Sequence, residues 1–284
     1  MNYNFKINIA DITFLLIAKE GSFKLRNNTP YCLFSTKKKP EVILKFYNGL
    51  DSRWDEGLSR RAIFDTHPNW RLSYVNNRYV LETRDRTMVM APDFTSGEVY
   101  ILKNHSSFPF GYPLDEILMI NLLGKKRGIL LHGCGIKNNN GSGVLFVGTS
   151  GAGKSTMANL YKTDSQATIL SDDRVIIRNR DDHFLIYGTP WHGDARLCSS
   201  ERATLKKIFF LKHAKKNSIR RIEPFDAVSC LIACSFPTFW NKKGMEFTLK
   251  FCSQLTQKVA CYELGFLPDK SILEFIRTLR NEMQ

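Results

Sequence analysis

Apolar residues in the first 112 positions come in short runs, among them ITFLLIA, YCLFST, EVILKFY, RLSYV, RYVLETR and EVYIL, separated by Asn, Gly, Asp and Lys. Runs of this length between turn formers predict strands, and no long helical period competes with them. The stretch VNNRYV reads as a hairpin turn. In FPFGYP, residues 108–113, two prolines and a glycine interrupt the pattern. A domain boundary is therefore expected there, with a β-rich unit over 1–112 and a second unit over 113–284.

Beyond that point the period changes. PLDEILMINLLGKK carries Pro113 at a first helical position, Asp115 and Glu116 in the first turn, Leu114, Ile117, Leu118 and Leu122 on one face, and Gly124 as a stop. This predicts a helix. GILLHGCGIKNNNGSGVLFVG reads as two strands around an Asn/Gly-rich turn. ATILSDD, RVIIRN and FLIYGTP follow as strands, the last two joined as a hairpin at RDDH, with Asp172 and Asp173 at the end of the first. KKIFFLKH, SIRRIEP and ACYELGF predict further strands. PDKSILEFIRTLRN closes the chain as a helix, with Ile272, Phe275, Ile276 and Leu279 at helical spacing. Strands mixed with helices place this second unit in the α/β or α+β class.

Composition adds three constraints. With 43% hydrophobic and 24% charged residues among 284, the chain can fill the cores of two globular units, and disorder is not its main state. A formal net charge of +14 favours anionic partners, with basic clusters at Lys37–Lys39, Lys125–Arg127 and between Lys206 and Arg221. Such runs are more often solvated faces than sites, so charge alone selects no partner. The seven cysteines form no CxxC pair and no Cys/His metal spacing, and their number is odd. They read as reduced core residues of an intracellular protein. No basic leader and no stretch of ~20 apolar residues is present, so a cytoplasmic protein with no membrane contact is expected.

The chemistry concentrates in VLFVGTSGAGKSTMANLY. Gly148-Thr149-Ser150-Gly151-Ala152-Gly153-Lys154-Ser155 fits G-x-x-x-x-G-K-[ST] behind an apolar strand and ahead of a helix-compatible segment. Glycines let the backbone wrap phosphate oxygens with its N–H groups, and the helix start adds its positive end. On this reading residues 148–156, through Thr156, bind ATP. Lys154 holds the β and γ phosphates, and Ser155 offers its hydroxyl to Mg2+. Asp172 and Asp173 follow about 18 residues after Lys154. One carboxylate of this pair is expected to hold Mg2+ and the other to accept a proton from an attacking hydroxyl. Taken alone, His132 on an apolar strand is more often a core residue than a catalytic one.

The segment from Leu130 to Val175, LLHGCGIKNNNGSGVLFVGTSGAGKSTMANLY followed by ILSDDRV, resembles the catalytic domain of the HPr kinase/phosphorylase family. That family shares its nucleotide site with ATP-dependent phosphoenolpyruvate carboxykinases. The resemblance implies a phosphate-loop domain with a mixed sheet, preceded here by the β-rich N-terminal unit. Carried over by position, it makes Lys154 the phosphate-binding lysine, Ser155 the magnesium-binding hydroxyl, and Asp172 and Asp173 the acidic pair. Asp173 is slightly preferred as the base. It also turns His132 into an active-site residue that neutralises or orients phosphate.

The chain departs from the family after the acidic pair. Where a Glu-Ile-Arg-Gly-Leu-Gly type signature is expected, it has YGTPWHGDARLCSSERATLKKIFFL. It is therefore closer to divergent HPr kinase-related proteins, some of which phosphorylate serine or other hydroxyl groups of peptide products and close the site with a GTPW-x-G segment. Trp191 is then a candidate pocket wall, Asp194 and Arg196 candidate replacements for the missing contact, and His192 a weaker one. The implied activity is an ATP-dependent kinase with a hydroxyl-bearing peptide, protein or small metabolite as acceptor, and relatives form homo-oligomers. A carboxykinase is a second enzyme reading. An ATP-binding regulatory or assembly module without its own acceptor is an alternative of a different class. No motif supports nucleic-acid binding.

Overall fold

The hairpin expected at VNNRYV joins β5 (Trp70–Val75) to β6 (Arg78–Thr83), with Asn76 and Asn77 at φ of 45° and 58°. Two consecutive left-handed residues match the twist of the strands they connect, and asparagine tolerates that conformation. The protein is described here from a computed structural model, which covers residues 3–19, 22–23, 29–49, 60–66, 68–102 and 108–282. Side chains are described as far as 278, so the expected packing of Leu279 lies outside the described residues.

The chain divides into two compact units, Met1–Leu122 and Leu123–Gln284. In the first, β1 (Tyr3–Ile9), β2 (Ile12–Ala18), β3 (Val42–Asn48), β4 (Arg60–Asp65), β5, β6, β7 (Arg86–Met90) and β8 (Ser96–Ile101) form one sheet in the order β1-β2-β3-β8-β7-β6-β5-β4. The pairs β2–β3 and β3–β8 are parallel and the others antiparallel. The run YCLFST was expected to be a strand, but Pro30–Phe34 forms a 3-10 helix. Pro30 fixes a helical φ at its start, and this turn buries Tyr31 and Phe34 together.

Division between the units falls later than FPFGYP, within α1 (Leu114–Gly124), because that segment is tied to the first unit. Phe108 packs on Tyr31, and Phe110 on Phe14 and Phe46. The buried Arg86 guanidinium donates to the carbonyls of Pro109, Gly111 and Tyr112. Fully buried aromatic side chains such as Phe14, Phe46 and Phe110 contribute up to ~3 kcal/mol each.

In the second unit β9 (Ile129–Asn138), β10 (Ser142–Val147), β11 (Ala167–Ser171), β12 (Arg174–Arg180), β13 (His183–Tyr187), β14 (Arg202–His213), β15 (Ser218–Arg221) and β16 (Ala260–Phe266) form a mixed sheet. Its path is β10-β9-β12-β13-β14-β16-β15, and a parallel β10–β14 pairing joins its first strand to its fifth. Alternate residues serve opposite faces, as a pleated strand requires. Leu145 and Val147 of β10, with Ile208 and Phe210 of β14, pack toward α3 (Pro224–Ala233) and α4 (Lys242–Lys258). Val144, Phe146, Phe209 and Leu211 pack on the other face toward α2 (Lys154–Lys162) and α5 (Ser271–Glu282). The sheet is thus covered by helices on both sides, an α/β arrangement.

Neither α3 nor α4 was anticipated from the sequence. α4 begins where the Asn241 side chain accepts the Gly244 N–H, and it buries Gly244, Thr248, Phe251, Cys252, Leu255 and Thr256, a helical stripe blurred by its small and polar members. Among the described residues no helix is long and apolar enough to cross a membrane.

Candidate functional site

Strand β10 ends at Val147 and the chain turns through Gly148–Gly153 into α2. Gly151 and Gly153 adopt φ of 82° and 100°, a region that admits glycine without strain. Gly153 is also the N-cap, with no side chain capping the helix, so the first-turn amides of α2 are left for another partner. A Cβ on Gly153 would overlap the Phe266 ring. Inside the turn the Ala152 N–H donates to the Thr149 carbonyl at 3.1 Å. The Lys154 ammonium folds back to the carbonyls of Gly148 and Thr149 at 2.8 and 2.9 Å. Burial pushes the Lys154 pKa down, and nearby thiols and Asp173 only partly offset it.

The acidic pair directly follows the end of β11 at Ser171, as expected, and precedes β12. β9 lies between β10 and β11, and β11 and β12 both run antiparallel to β9, so Asp172 and Asp173 sit in the short gap between two ladders on that strand. Ser171 pairs with Gly135 and Arg174 with His132, so the two aspartates lie beside Cys134 and Gly133. The Gly133 N–H donates to the Asp173 carbonyl at 2.8 Å. His132 and Asp173 thereby become neighbours although they are far apart in sequence.

The two carboxylates have different surroundings. Asp172 is 1% exposed and accepts the N–H groups of Gly193 at 2.9 Å, Ala195 at 2.9 Å and Leu197 at 3.3 Å. Its neighbour Ser171 donates its hydroxyl to the Trp191 carbonyl at 2.9 Å. These bonds fasten the 191–197 segment to β11. Asp173 instead meets His132 Nε2 at 3.0 Å and the Arg174 guanidinium, whose other face lies 5.1 Å from the Phe236 ring centre. Burial raises the Asp173 pKa, but the His132 hydrogen bond and the charges of Arg174, His132 and Lys154 outweigh it and hold the carboxyl below its ordinary value.

One open cleft of about 470 Å³ collects most of these groups. It is lined by Ser150, Gly151, Gly153, Lys154, Ser155 and Thr156 on one side and by His132, Asp172, Asp173, Gly193 and Asp194 on the other. Gly148, Thr149 and Ala152, expected as ligand contacts, are not in that lining. Gly148 gives its carbonyl to Lys154, while Ala152 packs against the apolar core. Trp191 is buried and does not wall the cleft, and neither His192 nor Arg196 lines it.

Arg174 and His213 were not singled out from the sequence. Arg174 follows the acidic pair directly, a position that signals its partner. His213 reaches the Gly151 carbonyl at 2.7 Å from 62 residues away, and no local pattern announces it. Among the described residues no three His, Cys, Asp or Glu side chains converge as a self-sufficient metal site.

A comparison with curated proteins finds no match. The sequence profile of the family described as SynChlorMet cassette protein ScmC matches residues 116–259, which contain the loop, the acidic pair and His132. That match covers just over half of the chain, and the protein belongs to this ScmC family.

Proposed function

We propose that the protein is an ATP-dependent phosphotransferase that moves the γ-phosphoryl group onto a hydroxyl of a peptide, protein or small metabolite. The observation that carries this reading is the cleft itself, where a glycine loop with Lys154 and Ser155 faces the His132–Asp173 pair. The likeness of residues 130–175 to HPr kinase/phosphorylase domains supports the same assignment.

In this mechanism the amides of the loop and of the first turn of α2 cradle the phosphates, and Lys154 leaves the Gly148 and Thr149 carbonyls to neutralise their charge. Asp173 takes the proton of the acceptor hydroxyl at a carboxylate oxygen as the acceptor oxygen bonds to the γ-phosphorus. The bond from that phosphorus to the β–γ bridging oxygen breaks, its electron pair leaves with ADP, and the product is a phosphate monoester. His132 orients Asp173 and adds positive charge when protonated. Asp172 acts indirectly by holding Gly193 and Asp194 at the rim.

The hard oxygen donors facing the cleft that are not assigned to proton transfer, the Ser155 hydroxyl and the Asp194 carboxylate, would suit Mg2+ together with phosphate oxygens. When bound, that ion supplies charge neutralisation at the triphosphate. Asp172, whose oxygens are taken by three backbone amides, is the weaker ligand.

The test incubates the protein with Mg2+ and γ-labelled ATP against a panel of serine, threonine, hydroxylated metabolites and serine-containing peptides, beside Asp173→Asn and Lys154→Ala. Label transfer to one acceptor, lost in both variants, is the expected result. Binding of ATP with no transfer to any acceptor shifts the assignment to a regulatory nucleotide-binding module. Failure to bind ATP overturns the assignment.

A further inference from the structure

We infer that His213 is a positioning residue that holds the glycine loop in its ligand-receiving shape through the Gly151 carbonyl. This rests on the nucleotide-binding reading of the loop. Strands β10 and β14 run parallel with Val147 beside Phe210, so the loop leaves β10 next to the last residues of β14. β14 continues to His213, which pairs with Phe266 on β16. The His213 ring stacks on the Phe266 ring at 5.9 Å and 28°. Phe266 is fully buried and occupies the space that a side chain on residue 153 would need.

From this platform His213 Nε2 reaches the Gly151 carbonyl at 2.7 Å. A carbonyl oxygen only accepts, so the Nε2 position carries the proton and donates. The peptide between Gly151 and Ala152 is then held at both ends, by His213 at its oxygen and by the Thr149 carbonyl at its N–H. Such a peptide cannot rotate, and the neighbouring Gly151 and Gly153 amides keep their direction. The tie comes from outside the loop, which matters once a triphosphate arrives. Lys154 cannot hold the Gly148 and Thr149 carbonyls and phosphate oxygens at the same time, whereas His213 gives up nothing when the cleft fills. His213 is exposed, so its ring is not needed to fill a core.

The experiment measures affinity for the magnesium complex of a non-hydrolysable ATP analogue by calorimetry, for the wild type, His213→Ala and His213→Gln, together with the melting temperature of each protein without ligand. The expected result is a roughly five- to tenfold weaker affinity in His213→Ala, the scale of one lost hydrogen bond, with unliganded melting unchanged. His213→Gln, which keeps an N–H donor, is expected to recover most of the loss. Wild-type affinity in His213→Ala overturns the inference and leaves the nucleotide site standing. A fall in melting temperature that accompanies the loss and is not restored by glutamine also overturns it, since it marks a purely structural role. If the wild type itself does not bind the analogue, the reading of the loop fails and the inference fails with it.

Discussion

Asp172 and Asp173 are adjacent in the chain and opposite in employment: three backbone amides occupy the first, and the second faces His132 and Arg174 at the cleft. Replacing each by asparagine is therefore expected to separate stability from activity. Asp172→Asn leaves a buried amide group among donors and costs about 2 kcal/mol, seen as a lower melting temperature. Asp173→Asn is expected to give up only the charge-dependent part of the stability at neutral pH, a smaller fall in melting temperature than Asp172→Asn, and to lose phosphoryl transfer by a factor of at least ~100.

Acidification supplies a second test of Asp173. Its pKa in the folded protein lies below the ordinary carboxylate value, so its charged form stabilises the fold above about pH 4. That contribution is lost as pH falls through the ordinary range and then through the depressed value. Urea midpoints of the wild type and Asp173→Asn are expected to converge between pH 5 and pH 3 on the scale of a carboxylate titration. A constant gap over that interval contradicts the assignment.

Lys154→Ala is expected to leave unliganded melting nearly unchanged, because among the described residues the ammonium's hydrogen bonds go to carbonyls of its own loop. The stabilisation that millimolar MgATP gives the wild type should vanish, for that increment follows ligand concentration over Kd. Differential scanning fluorimetry with and without MgATP reads both quantities.

Gly188→Ala tests the segment that leads from β13 into residues 191–197, which Asp172 and Ser171 fasten to β11. An added Cβ would overlap the carbonyl oxygens of both Ser199 and Leu170, and neither is the movable end of a side chain. The substitution is expected to destabilise the second unit by about 3 kcal/mol, measured by urea unfolding.

Thiol labelling reports on the core. Burial pushes the Cys252 and Cys261 thiols up to about 12, so about one in ten thousand is ionised at pH 8. Cys134 is fully buried and shifted in the same direction. Mass spectrometry after alkylation at pH 8 is expected to find these three unmodified until urea unfolds the chain, whereas partly exposed Cys32 and Cys230 react in the native protein.

The loop and the acidic pair were legible because each is a local pattern, glycines with lysine at fixed offsets and two carboxylates beside an apolar run. The hairpin turns at Asn76–Asn77 and Asp181–Asp182 were legible for the same reason, since each uses residues that tolerate positive φ. What sequence could not supply was register. That His132 meets Asp173 follows from the antiparallel alignment of β9 with β11 and β12, a pairing between segments about 40 residues apart. Division of labour within the acidic pair was hidden too, because it depends on where Gly193, Ala195 and Leu197 return. YCLFST misled because apolar content does not separate a strand from a short 3-10 turn, and Pro30 was the overlooked cue.

The pairings β10–β9, β9–β12, β12–β13, β13–β14 and β14–β10 close on themselves. A closed hoop of strands has no hinge, since opening any one junction breaks a whole ladder of hydrogen bonds. Filling of the cleft is therefore expected to act first on the two segments outside the hoop that line it, the glycine loop and the 191–197 segment. Amide hydrogen exchange would register this as one silent frame, slowest along β14, with two fast-breathing segments that slow down when ligand binds.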